Sequence, residues 1–213
     1  MARKNALVKP ILKWVGGKRQ LLDDILPLLP KDPKLYVEPF VGGAAVLLAK
    51  QPAHARVNDY NAELVNVYKV VRDVPDALLE KLREHDENNT SDYYYEVRAL
   101  DREPSFVDMG EVERAARIIY LNKTCFNGLY RVNPAGQINS PYEHPNIVNE
   151  PGIRALSRYL QGDVTLMCGD YSEALRSLPR GAFVYLDPPY MPLTQTSAFT
   201  GYTEGGFDYD EQV

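Results

Sequence analysis

Val184-Tyr185-Leu186-Asp187-Pro188-Pro189-Tyr190 reads as a buried strand halted at its C-terminal tip. Proline has no N–H for a sheet ladder, so two in succession end the pairing and impose a rigid turn. The stop gathers a carboxylate (Asp187), a backbone carbonyl (Pro188) and an aromatic face (Tyr190) at one sheet edge. That trio suits a planar amine: the two oxygens accept from an NH₂ while the ring stacks on the heterocycle. Ligands of α/β sheets lie beyond the carboxyl ends of the strands, which is where this turn sits. Alone, Asp-Pro-Pro equally opens an ordinary loop, so the rest of the chain has to discriminate.

Working outward, Ala182 to Leu186 is the strand entering the turn. Before it, Val164 to Cys168 is another strand, followed by Gly169-Asp170-Tyr171 and a short helix from Ser172 to Leu178. Near the start, Gly17 to Leu29 carries apolar residues at helical spacing. Leu35-Tyr36-Val37 is a strand, Glu38-Pro39-Phe40-Val41-Gly42-Gly43 the turn leaving it, and Ala44 to Lys50 a helix. Ala55 to Asp59 forms a second strand ending in an acid, and Asn61 caps a helix from Ala62 to Val71. Strand, glycine turn, helix and strand with a terminal acid make the mononucleotide half of a doubly wound fold. The glycines admit a ligand close to the backbone, and the acid bonds a ribose diol. Asp59 has the alternative of a plain helix cap, and Gly169-Asp170-Tyr171 of an ordinary strand-to-helix turn.

Pro75 to about Lys123 turns helical and polar without intervening strands, as an inserted subdomain does. Ser91 is placed to cap a helix through Leu100, and Gly110 precedes one from Glu111 to Leu121. Thr124 to Tyr142 is rich in turn signals around β-capable residues, so a hairpin or extended loop is expected there. The organisation predicted is a catalytic unit of residues 1–60 and 150–213 with a helical insert of residues 61–149, loop 124–142 projecting from the insert. The net charge of −5 argues against wholesale nucleic-acid binding. Arg114 to Tyr142, however, holds four cations (Arg114, Arg117, Lys123, Arg131) and no Asp or Glu, a local basic face compatible with DNA. Two cysteines give neither a disulfide framework nor a zinc pattern. No apolar run approaches the roughly 18 residues of a membrane span, and a signal peptide is not expected from the opening residues. A cytoplasmic, metal-free protein is expected.

Five blocks then carry a resemblance: Lys13-Trp14-Val15-Gly16-Gly17-Lys18, Glu38 to Gly43, Asn58-Asp59-Tyr60-Asn61, Phe126 to Asn133, and Asp187-Pro188-Pro189-Tyr190. In this order and spacing they resemble the Dam-type DNA adenine-N6 methyltransferases, from about Leu12 to the last residue. The resemblance implies a Rossmann-like α/β methyltransferase sheet with an inserted target-recognition subdomain. It also implies S-adenosyl-L-methionine as methyl donor and double-stranded DNA as partner. Trp14 and Lys18 would lie along the methionine end of the donor, with Phe40, Gly42 and Gly43 beneath it. Trp14 alternatively packs in the core. Asp59 would bind the ribose, Asp170 and Tyr171 would flank the donor's adenine, and Asp187 would also border the donor. The family usually has Phe-x-Gly-x-Gly, where this chain has Ala44.

For the reaction the resemblance implies that Asp187 and the Pro188 carbonyl accept from the two N6 protons of adenine, freeing its lone pair, while Tyr190 stacks on a base turned out of the duplex. Lys123 and the arginines before it would hold phosphates, which position without specifying. Arg131 and Asn127 would meet bases or phosphates, and Leu129 and Pro141 would wedge or contact bases; simple turn chemistry is the alternative for each loop residue. GATC is the target the resemblance implies. Pro141-Tyr142-Glu143-His144 stands where the family often has Pro-Tyr-Gly-Arg. Only four strands are visible, so a sheet lacking C-terminal strands, in an incomplete enzyme, is expected. N-methylation of RNA or of protein glutamine, and a non-catalytic DNA-binding fragment, remain the other readings.

Overall fold

A computed structural model describes residues 4–128, 131–133, 135–143 and 147–189. After a broken helical stretch containing α1 (Leu22–Ile25), the chain runs β1 (Leu35–Glu38), α2 (Ala45–Lys50), β2 (His54–Asp59) and α3 (Ala62–Asp73). Three further helices follow without an intervening strand, α4 (Pro75–Glu87), α5 (Ser91–Ala99) and α6 (Glu111–Thr124). The chain returns through α7 (Glu150–Leu160), β3 (Asp163–Cys168), α8 (Tyr171–Leu175) and β4 (Ala182–Val184). The four strands form one parallel sheet in the order β3-β2-β1-β4, the doubly wound α/β architecture expected. β1 lies in the middle and buries Tyr36, Val37 and Glu38 in succession, as a parallel strand covered on both faces does.

Several boundaries differ from the sequence expectation, each for a local reason. The stretch from Gly17 to Leu29 divides into 3₁₀ turns on either side of α1; Pro27 ends α1, because it lacks the N–H of a continuing helix. Thr90, not Ser91, caps α5, its side chain accepting from Tyr93 N–H at 3.3 Å. α8 stops at Leu175, short of a left-handed Ser177. β4 ends at Val184, although one further ladder bond, Tyr185 N–H to Val37 O at 2.8 Å, carries the pairing on. The sequence reading passed over α7. Its signals were nevertheless present: Asn149 caps Gly152 N–H at 3.2 Å, Pro151 sits in the first turn, and Ile153, Leu156 and Leu160 share the buried face.

α3 joins the two parts of the molecule, packing on β3 and α7 on one side and on α6 on the other. The side chains of the helical layer and the sheet merge into one hydrophobic core. Among the described residues no helix is long and apolar enough to cross a membrane.

Candidate active site

All four strands point their carboxyl ends the same way, so Glu38, Asp59, Asp170 and Asp187 issue from one edge of the sheet. β1 separates β2 from β4, which puts the axes leading to Asp59 and Asp187 about 10 Å apart by ordinary strand spacing.

The turn after β1 is held from several directions. Asp59 Oδ2 accepts Gly42 N–H at 2.9 Å and its Oδ1 accepts Asn61 N–H at 2.9 Å. Tyr68 donates its hydroxyl to Gly42 O at 2.7 Å, and Asn58 Nδ2 donates to Pro39 O at 3.1 Å and Gly169 O at 2.9 Å. Asp59 is therefore more than a cap: it clasps the glycine turn, and burial pushes its carboxyl upward against the pull of the Asn61, Gly42 and Tyr60 N–H groups. Gly42 has φ +47°, and a β-carbon there would stand 3.1 Å from Trp14 Cδ1. Gly42→Ala is expected to cost about 1–2 kcal/mol from the left-handed backbone alone, read by denaturant titration. Ala44 accepts that same penalty, at φ 57° and 1% exposure. Trp14, half-buried, packs on the core and on the two glycines together. The Phe40 and Tyr171 rings stack with centroids 5.2 Å apart and planes at 28°. They leave no slot between them, so a planar ligand would lie on an outer face of the pair. Asp170 Oδ1 caps α8 through Ser172 N–H at 2.9 Å and is hydrogen-bonded to the Ser172 hydroxyl.

Asp187 meets a partner the sequence reading placed elsewhere. Lys18 Nζ lies 2.6 Å from Asp187 Oδ2, both side chains about 15% exposed, and also donates to Gly16 O at 2.8 Å. Two blocks separated by most of the chain thus meet at the strand tip, and the ammonium pins one carboxylate oxygen. Pro188 is half-buried beside it, while Tyr190 lies outside the described residues.

Glu38, the last residue of β1, is the most enclosed acid of the edge, 3% exposed. Tyr36 donates its hydroxyl to Glu38 Oε2 at 2.8 Å. Burial, followed by the charge of Asp187, lifts its carboxyl to about 8, opposed by the Tyr36 hydroxyl and the Leu47 N–H. An acid ending an otherwise apolar strand was the available signal.

Beside this edge opens a cleft of about 410 Å³ lined by Lys13, Asn122, Lys123, Asn127 and Glu143 among others. Lys123 is half-buried in the last turn of α6; burial, then Arg19 and Lys13, pull its ammonium below the usual lysine range. Asn127 adopts φ 58°, donates its N–H to Glu143 Oε2 at 3.0 Å and accepts Lys13 Nζ on its carbonyl at 3.2 Å. Arg131 is exposed, its Nε donating to Asn139 Oδ1 at 3.0 Å. Pro141 is exposed, its carbonyl accepting Phe126 N–H at 2.8 Å. The loop is pinned as a hairpin by antiparallel bridges Cys125–Tyr142 and Val132–Ile138. Leu129 lies outside the described residues.

The basic run is not one face. Arg117 is 2% exposed and pairs with Asp101, and Arg114 pairs with Glu63. Neither is placed to hold a phosphate as expected, because both serve the packing of α6. Lys13 and Arg19, from the N-terminal segment, take their place beside Lys123. The sequence reading missed them because they lie about a hundred residues away in the chain. Exposed Phe126, at 54%, was likewise passed over. Among the described residues no cluster of His, Cys, Asp and Glu is placed to hold a metal ion.

Residues 14–213 match the model of the D12 class N6 adenine-specific DNA methyltransferases. The chain belongs to this family. It is 44% identical over 218 residues to the type II methyltransferase M1.LlaDCHI of Lactococcus lactis, covering all of this chain and 77% of the relative. It is 43% identical over 225 residues to the type II methyltransferase M.MjaIII of Methanocaldococcus jannaschii, covering 97% and 77%. The DNA adenine methylase of Haemophilus influenzae is 33% identical over 212 residues, covering 96% and 71%. As a D12-class adenine-specific DNA methyltransferase, the chain has DNA as substrate and a Rossmann-like sheet as scaffold.

Proposed function

We propose that this D12-class chain methylates N6 of adenine in duplex GATC, using S-adenosyl-L-methionine, on a base turned out of the helix. The observation carrying the reading is the convergence of Asp187, Lys18, Trp14 and the clasped glycine turn on one sheet edge beside the cationic cleft. The residues present fit the donor. Gly42 and Gly43 let Trp14 lie against the turn backbone, Asp59 ends β2 beside that turn, and Phe40 and Tyr171 offer an aromatic face. Asp170 stands next to that face. When bound, the donor supplies a methyl group on a positively charged sulfur, so no metal electrophile is required.

The chain's own task is to make a poor nucleophile attack. The adenine amine is delocalised into its ring, and hydrogen bonds donated by its two N–H groups to Asp187 and the Pro188 carbonyl favour a pyramidal nitrogen. As nitrogen takes the methyl group it must shed one proton, for which Asp187 is the nearest acceptor in this scheme. Lys18 holds that carboxylate in place. In-line attack makes orientation a large part of the rate. An N6 inside a duplex is paired and stacked, which is why extrusion is required. Tyr190 and Leu129, the proposed stacking and wedging residues, lie outside the described residues; Phe126 adds an exposed ring at the same loop.

Residues 1–60 and 150–213 then form the donor-binding unit and residues 61–149 the target reader. α4 and α5 both pack on α6, and α6 packs most extensively on α3, which also meets β3 and α7. Lys123 contacts phosphate, Asn127 and Pro141 approach the base edges, and Arg131 reads a guanine. The experiment is incorporation of labelled methyl into duplexes containing GATC or a single-base variant. Incorporation confined to GATC is the expected result, and equal incorporation into all duplexes rejects the target assignment. Arg131→Ala should lose about 1–3 kcal/mol of discrimination at one base position, measured as kcat/KM on matched and mismatched duplexes.

A further inference from the structure

The return half of the loop is held by side chains where a sheet would use backbone. Ile138 N–H donates to Asp101 Oδ2 at 3.0 Å, and Ile138 O accepts from Arg102 Nη2 at 2.8 Å. Both backbone groups of one loop residue are thus taken by neighbouring side chains that follow α5. Asp101 is itself clamped, with Arg117 Nη2 at 2.9 Å from Oδ2 and Arg102 Nη1 at 2.7 Å from Oδ1. Arg117 is locked in turn, donating to Val97 O and Arg98 O at 2.9 Å each, with its guanidinium 5.1 Å from the Phe106 ring centroid.

On the loop side, Ile138 is 3% exposed and bridges Val132. Asn139 N–H donates to Arg131 O at 3.1 Å, and Asn139 Oδ1 receives Arg131 Nε at 3.0 Å. An unbroken chain of contacts therefore runs from buried Arg117 to exposed Arg131. Reading a base edge requires the reader within about 0.5 Å of its working position. The loop's two isolated bridges supply little rigidity by themselves. A buried ion pair is a weak stabiliser compared with apolar packing of the same volume, so its directional constraint is the more telling property here.

We infer that Asp101, clamped between Arg102 and Arg117, is a specificity-positioning residue that sets Arg131 for base reading through Ile138 and Asn139. This rests on the proposed role of the loop as DNA reader. The test uses the full chain on a duplex pool with randomised bases around one adenine, followed by sequencing of the methylated contexts. Asp101→Asn and Arg102→Ala should lower the preference at the base read by Arg131 about tenfold. They should raise KM for DNA more than they change kcat and leave donor affinity unaltered, and Arg102→Lys should recover part of the preference. A wild-type preference in both variants overturns the inference. So does a loss of kcat and donor binding in step with thermal stability, the signature of a merely structural role. If the wild-type chain methylates no adenine in any duplex, the DNA-reading proposal falls with it. If the wild type methylates selectively and the variants do too, only the positioning role falls.

Discussion

Asp187→Ala is expected to slow methyl transfer to duplex adenine by about 10²–10⁴-fold, the range a positioned proton acceptor contributes. The substitution removes the charge-bearing acceptor that draws on N6 and the anchor of Lys18, 2.6 Å away. Asp59, Asn58 and Tyr68 hold the glycine turn from the β2 and α3 side. Lys18, placed along the methionine end of the donor, loses that anchor, so donor affinity should weaken as well. Asp187→Asn separates charge from geometry: it keeps an acceptor oxygen of the same reach and should sit between wild type and alanine. Single-turnover incorporation of labelled methyl, beside calorimetric donor binding, measures both effects. Transfer at the wild-type rate by Asp187→Ala would remove the strand-tip carboxylate from the reaction.

The second large effect concerns stability against pH. Glu38 ionises near 4.5 when unfolded and at about 8 in the fold. A carboxyl raised in this way binds more protons folded than unfolded between those values, so stability falls as pH climbs from 4.5 to about 8 and then levels. At about 1.4 kcal/mol per pH unit the wild-type loss amounts to several kcal/mol. Glu38→Gln keeps the volume and an acceptor for the Tyr36 hydroxyl but cannot ionise, and should lose most of that slope. Asp59, raised by burial as well, adds a slope of the same sign to both proteins, so the difference between them isolates Glu38. Urea titrations at pH 5 and pH 9 measure it. Parallel pH profiles for the two proteins would show that Glu38 is not the titrating group.

The strand-turn-helix punctuation of this chain was legible residue by residue, because its causes are local. Gly42 takes a left-handed backbone and Asn61 caps α3 by bonding Leu64 N–H at 3.0 Å, whereas the β4 pairing runs only to Tyr185, ahead of Pro188 and Pro189. These fix β1, β2 and the parallel sheet whose carboxyl edge bears the site, and the spacing of five blocks carries the family. Position across the chain was another matter. That Lys18 meets Asp187, that Lys13 and Arg19 stand beside Lys123, and that Arg117 turns inward to Asp101 follow from the docking of α6 and the N-terminal segment on the sheet. A charged residue reads alike in sequence whether it faces solvent or a buried carboxylate. Only packing decides which cost of desolvation it bears, and therefore only the tertiary structure separates the cations available to DNA from those that hold the loop in place.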